Sequence, residues 1–174
     1  YQGLAMASDV FDGVLALVDA NPGARIDLNG HGETTFHPQW VAFAQQLHQR
    51  RARITILSNF ARLFTELEAA TLARMAAIQI SIDSADDAFL KAIRRKVSLA
   101  TIRTNIALIR TQAAELGLSP AWSISCGIYD LNIPHLAALA DFAIAQRFDN
   151  VTFWKLVEYP QVADELHARP YDSL

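Results

Sequence analysis

The chain has 174 residues, enough for one domain that buries roughly 70% of the surface its unfolded form exposes. Hydrophobic residues make up 52% and charged residues 19%, which argues against disorder, and a net charge of −3 with no offsetting basic block argues against a broad nucleic-acid footprint. No apolar run reaches the ~18 residues of a membrane span, the start does not read as a secretory signal, and one cysteine, Cys126, rules out an intrachain disulfide framework and suits a reducing cytoplasm. Opening on Tyr1 rather than methionine, the chain is expected to be a piece of a longer one.

Helical spacing of Val10, Phe11, Val14, Leu15, Leu17 and Val18 predicts a helix over Ser8–Ala20, capped by Ser8 or Asp9 and ended by Asn21-Pro22-Gly23. A strand follows at Arg25–Leu28, then the loop Asn29-Gly30-His31-Gly32-Glu33-Thr34-Thr35. Pro38 opens a second helix that runs to about Arg50 with Trp40, Val41, Phe43, Ala44 and Leu47 as its apolar stripe. Arg53–Leu57 is the second strand, Leu63–Met75 a helix, and Ile78–Asp83 the third strand. Its alternation puts Ile78, Ile80 and Ile82 on one face and Gln79, Ser81 and Asp83 on the other. A helical piece at Asp86–Arg95 precedes a longer helix from Leu99 to Leu116, stopped by Gly117. Ala121–Gly127 is the fourth strand, Pro134 starts a helix ending near Arg147, and Asn150–Trp154 is the fifth strand. The expected organisation is a body over residues 1–160 and a polar tail over 161–174.

Strands alternating with helices predict βαβ units and a parallel sheet. Polar residues sit at all five strand ends: Glu33; Ser58 and Asn59; Ser81 and Asp83; Tyr129, Asp130 and Asn132; Lys155 and Glu158. A doubly wound sheet would use only the ends beside its switch point, whereas a barrel brings every end to one mouth. The expected fold is therefore α/β, a partial (β/α)6 TIM-like barrel of parallel strands.

The loop after the first strand is the leading binding candidate. Its two glycines let a backbone approach a ligand closely, and few purely structural needs ask for a glutamate and two hydroxyls beside them. Asn59 reads equally as a turn cap. Cys126 reads as a buried apolar residue, and Trp40, Trp122 and Trp154 as packing, with Trp154 placed to line a mouth. His31-x-Glu33 has the look of a zinc deaminase pair but lacks the downstream Pro-Cys-x-x-Cys. The basic clusters Arg50-Arg51-Ala52-Arg53 and Arg94-Arg95-Lys96 read as solvated helix ends.

Taken in order, these segments resemble the radical S-adenosylmethionine enzyme family over about residues 8 to 157. Gly30-His31-Gly32-Glu33-Thr34-Thr35-Phe36-His37-Pro38 resembles its Gly-Gly-Glu-Pro loop. Ile56-Leu57-Ser58-Asn59 resembles a strand ending often written Thr-Asn-Gly, here without the glycine. Ile80-Ser81-Ile82-Asp83-Ser84 resembles its serine-x-aspartate, and Ala92-Ile93-Arg94-Arg95 with the helix at Leu99–Ile106 fits the segment after that strand. Asp130-Leu131-Asn132-Ile133-Pro134-His135-Leu136 resembles the next strand's exit.

The resemblance implies S-adenosylmethionine as cofactor. The backbone of His31, Gly32 and Glu33 would accept from its amino group, with Asn59 at the neighbouring strand end. Ser81 and Asp83 would meet the ribose hydroxyls, Arg94 or Arg103 the methionine carboxylate, and Asn132 would lie near the adenine. It further implies a [4Fe-4S] cluster held by a Cys-x3-Cys-x2-Cys loop that this sequence lacks and that is expected, with a first strand, upstream of Tyr1. The implied activity is cleavage of S-adenosylmethionine to a 5′-deoxyadenosyl radical that abstracts hydrogen from a small-molecule or peptide substrate. A flavodoxin or ferredoxin is the implied reductant. Two alternatives stay open: an unrelated β/α-barrel lyase, for which only Lys155 is available as a Schiff-base lysine, and a non-catalytic binding or scaffold module.

Overall fold

A computed structural model describes residues 5–30, 32–94 and 96–155; His31, Arg95, Glu158 and the tail at 161–174 lie outside the described residues. The order is α1 (Ser8–Ala20), β1 (Arg25–Leu28), α2 (Trp40–Gln49), β2 (Arg53–Ser58), α3 (Glu66–Ala73), β3 (Ala77–Ser81), α4 (Asp87–Ile93), α5 (Leu99–Glu115), β4 (Ala121–Ile128), α6 (Leu136–Ala145) and β5 (Asn150–Lys155), with 3-10 turns at Thr34–Phe36 and Ile133–His135. The strands form one sheet in the order β1-β2-β3-β4-β5. Where register is defined they run parallel, Arg25–Leu28 beside Arg53–Ile56 and Ser123–Ile128 beside Asn150–Lys155. Sequential order without a reversal is the pattern of a barrel wall, not of a doubly wound sheet. The fold is α/β, as expected, and matches a partial TIM-like barrel.

The chain groups into two compact units, Tyr1–Ser58 with Phe64–Ile78 and Asn105–Ala121, and Asn59–Leu63 with Gln79–Thr104 and Trp122–Leu174. In the first, α1 buries Phe11, Leu15 and Val18, a spacing of four and three that keeps one face inward, while Val10 and Leu17 stay exposed. Phe11 stacks on Phe43 of α2 with centroids 3.9 Å apart and planes 9° from parallel. Ile54 and Ile56 of β2 are each 1% exposed and complete that core with Leu47 and Leu72. In the second, Ile80, Ile82, Leu90, Ile102, Ile124 and Leu139 are fully buried. The expected alternation in β3 holds: Ile78, Ile80 and Ile82 are all at 0% exposure.

Several element ends differ from expectation for identifiable reasons. The N-cap of α1 is Ala7, with no side-chain cap; Ser8 lies in the first turn and its hydroxyl points to Gln39 Oε1 at 3.4 Å. The second helix begins at Trp40 rather than Pro38, because Thr34–Phe36 coil into a 3-10 turn and His37 Nδ1 then accepts from Gln39 N–H at 3.1 Å. The third starts at Glu66, not Leu63, because Thr65 and Glu68 close a capping box: Thr65 Oγ1 accepts from Glu68 N–H and Glu68 Oε2 from Thr65 N–H. Gly117, at φ +64°, takes the left-handed position past α5, and Leu118 N–H reaches Ala113 O at 2.8 Å. Phe60, just past β2, holds φ +52°. It does so fully buried, edge-on to Trp122 at 6.5 Å. The backbone conformation a glycine would favour after Ser58-Asn59 is thus kept by a phenylalanine fixed in packing.

Candidate cofactor-binding site

In the first unit, the chain leaves β1 at Leu28 and turns through Asn29, Gly30, Gly32 and Glu33. Glu33 caps the 3-10 turn, and its Oε1 accepts from Thr35 N–H at 3.1 Å, Thr35 Oγ1–H at 2.9 Å and Ser58 Oγ–H at 2.6 Å. Thr34 Oγ1–H reaches back to Leu28 O at 3.3 Å. The loop is therefore pinned to the end of β1 and, through Ser58, to the end of β2. Thr35 and Ser58 are both 2% exposed. Among the described residues, nothing donates to the carbonyls of Gly30 and Gly32. A Cβ built on Gly30 would meet nothing within 4 Å, and its φ is not positive, so the fold itself does not require glycine there. A cavity of about 690 Å³ opens beside the loop, lined by Gly30, Gly32 and Glu33 together with Phe11, Val14 and Phe43. Asn59 belongs to the second unit, where its Oδ1 accepts from Ala61 N–H at 2.9 Å, the turn-cap arrangement.

In the second unit, Asp83 follows the end of β3 and is 6% exposed. Its Oδ2 pairs with Arg94 Nε at 2.6 Å and its Oδ1 accepts from Gly127 N–H at 3.3 Å. Arg94 is thus not the solvated helix end expected; its side chain is 29% exposed, and its two terminal amino groups have no hydrogen-bond partner among the described residues. Burial works against its charge, but the Asp83 carboxylate holds the guanidinium above its usual range. Asn132 is fully buried: Nδ2 donates to Gly127 O at 2.7 Å and Asp83 O at 3.2 Å, and Oδ1 accepts from Tyr129 N–H at 3.0 Å. It braces the exit of β4 against the end of β3. Ser81 is half-buried and makes no hydrogen bond through its hydroxyl among the described residues. Arg103 lies elsewhere, exposed on α5 with its guanidinium 5.6 Å from the Phe142 ring centroid. Burial pushes the Tyr129 phenol upward, assisted by the Asp83 charge.

The residue-by-residue expectation thus meets three kinds of environment. The Gly32 carbonyl and the Ser81 hydroxyl have no hydrogen-bond partner among the described residues. Glu33, whose carboxylate holds Thr35 and Ser58 and whose carbonyl accepts from Phe36 N–H at 3.0 Å, is committed to neighbours, as are Asp83 and Asn132. Arg103 belongs to the helical layer. The bracing by Thr35 and Ser58 was not anticipated, although Thr35 two residues from Glu33 and Ser58 at the next strand end were legible as hydroxyls near a carboxylate. Among the described residues no group of three His, Cys, Asp or Glu is placed to hold a metal ion. Cys126, the one cysteine of the sequence, is at 0% exposure and burial pushes its thiol up to about 12, so it presents no exposed thiolate. A [4Fe-4S] group does not fit these residues. No helix among them is long and apolar enough to cross a membrane.

No family model and no curated protein sequence matches the chain. Solved structures do. SuiB of Streptococcus suis superposes with a TM-score of 0.64 at 18% identity, covering 90% of this chain and 35% of SuiB. The same protein bound to S-adenosylmethionine gives 0.64 at 16%, covering 95% and 43%. TYW1 with a lysine-pyruvate adduct gives 0.54 at 11%, covering 91% of this chain and 61% of TYW1. This chain therefore spans about two fifths of SuiB and three fifths of TYW1. At these identities the likeness is one of fold: this chain shares the fold of part of SuiB and of TYW1.

Proposed function

We propose that this chain is the S-adenosylmethionine-binding part of a radical S-adenosylmethionine-type enzyme. The observation that carries the reading is the loop after β1, whose Gly30 and Gly32 carbonyls face no donor among the described residues at the strand end where the resemblance puts the cofactor's ammonium group. An ammonium has three N–H donors and no acceptor, so carbonyls left without donors on a braced backbone are what it requires. In the second unit, the Ser81 hydroxyl suits a ribose, and the terminal amino groups of Arg94 suit a carboxylate, which a guanidinium takes in bidentate fashion. Asp83 contributes by fixing Arg94, and Asn132 by fixing the backbone at 127–129 where the adenine is proposed to lie. A SuiB structure bound to S-adenosylmethionine supports the choice of ligand.

Bound S-adenosylmethionine would supply reductive-cleavage chemistry. On this reading the part played by the first unit is to orient the ammonium end of the ligand through the braced loop after β1. A small-molecule or peptide substrate, and a flavodoxin or ferredoxin as reductant, belong to the same proposal.

The test is calorimetric titration of S-adenosylmethionine into the full chain. Saturable binding, weakened about tenfold in Gly30→Ala because a methyl group obstructs the approach, is the expected result. Because the Gly30 Cβ has open space, that variant should melt within about 2 °C of the parent. Absence of binding by a folded parent would overturn the reading.

A further inference from the structure

We propose that Glu33 is a positioning residue, acting through Thr35 and Ser58 rather than by presenting its charge to the ligand. Only the binding arm of this proposal rests on S-adenosylmethionine being the ligand. One carboxylate oxygen, Oε1, collects three donors at 2.6–3.1 Å. Two come from the residue two places on and one from the end of the neighbouring strand, so a single atom ties the loop to two places in the same unit. The donors are sealed: Thr35 and Ser58 are each 2% exposed. Charge-assisted bonds of this kind are roughly twice as strong as neutral ones, and their geometry fixes the direction of the Glu33 backbone and of the glycines before it. A loop with Gly30 and Gly32 has intrinsic freedom to lose, and the brace removes it before any ligand arrives. An ammonium ligand would then be recognised by neutral carbonyl oxygens, already pointed, with the negative charge used for architecture.

A charge role and a brace role part company in one substitution. Glutamine keeps an oxygen at Oε1 that can accept from the same three donors and removes the charge; alanine removes both. On the brace account, Glu33→Gln in the full chain retains affinity for S-adenosylmethionine within about threefold, while Glu33→Ala loses about tenfold or more. Ser58→Ala and Thr35→Val fall between, and Thr35→Ser restores binding. Thermal midpoints of the glutamine variant and the parent should agree within about 2 °C. Loss in the glutamine variant as deep as in the alanine variant, at unchanged midpoint, would overturn the proposal. So would unchanged binding in both.

Hydrogen exchange of the amides at 32–36, measured without ligand, gives a second and independent reading. Exchange should quicken in Glu33→Ala and stay at the parental rate in Glu33→Gln. Equal exchange in all three proteins would refute the brace even if the parent binds no S-adenosylmethionine. A parent that binds nothing while the alanine variant exchanges faster would leave the brace standing and remove only the cofactor reading.

Discussion

Separating Asp83 from Arg94 should reveal how much of the second unit depends on one ion pair. The carboxylate side chain is 9% exposed and the guanidinium 29%, with 2.6 Å between Oδ2 and Nε. Removing one member of a fully buried pair costs about 3–5 kcal/mol, chiefly because the survivor is left charged and poorly hydrated. Arg94 keeps nearly a third of its surface in water, so Asp83→Ala should sit below that range, at about 2–3 kcal/mol. Asp83→Asn keeps an acceptor for Gly127 N–H and should cost less, about 1–2 kcal/mol. In the double variant Asp83→Ala/Arg94→Ala no stranded charge remains, and the two losses should fall short of additivity by about 1–2 kcal/mol. Urea denaturation of the parent, Asp83→Ala, Asp83→Asn, Arg94→Ala and the double variant, followed by circular dichroism, measures this directly. The thermal midpoint of Asp83→Ala should drop by about 5–10 °C, at roughly 2–4 °C per kcal/mol for a chain of this size. A coupling energy under about 0.5 kcal/mol would show that the pair is not what holds the end of β3 to the exit of β4.

Substitutions at three other positions probe the braces and the core. Asn132→Ala strands Tyr129 N–H and the carbonyls of Asp83 and Gly127 in a fully buried setting and should cost about 2–4 kcal/mol in the same urea assay. Phe60 should invert a familiar order: either small replacement loses about 3–5 kcal/mol of packing, but glycine recovers about 1 kcal/mol at φ +52°, so Phe60→Gly should be the more stable of Phe60→Gly and Phe60→Ala. Burial holds His48 below its ordinary range, and its Nε2 is buried without a hydrogen-bond partner among the described residues. The unfolded chain therefore takes up that proton more readily. Stability from this group is full above the unfolded pKa of about 6.5 and is lost as the pH falls through the lower folded value. Melting scans between pH 7.5 and 5 should show a decline that His48→Leu flattens; an equal decline in both proteins would refute this assignment.

The architecture was legible because it depends on periodicity. Ile78, Ile80 and Ile82 announce a one-sided strand whatever surrounds them, and polar residues at successive strand ends distinguish a barrel wall from a doubly wound sheet. Element ends were less legible where side chains compete for the backbone. Thr65-Glu66-Leu67-Glu68 is a capping box that can be read from sequence, yet Leu63 and Phe64 prolong the apolar pattern and mask it. At the site, sequence spacing indicated which residues stand at strand ends but not which are already engaged. Asp83 and Arg94 are eleven positions apart on either side of α4, and only the folded chain shows the carboxylate holding the guanidinium. Asn132, two residues past an aspartate in an exit loop, stands at a strand end in the sequence, and only the folded chain shows its side chain holding three backbone groups. No glycine follows Asn59 in the sequence, yet Phe60 there holds φ +52°, a backbone conformation that glycine favours.

Cys126, the single thiol of the sequence, lies at 0% exposure beside Asp83 O, and its pKa is pushed up to about 12. In the folded chain near neutrality it is therefore a hydrocarbon in all but name, with neither the thiolate nor the access that alkylating reagents need. The practical result is a scaffold already silent to sulfur chemistry. A cysteine placed by design at a strand end would be the one position a spin label or fluorophore can find, and the native residue would not first have to be removed from the core it helps to fill.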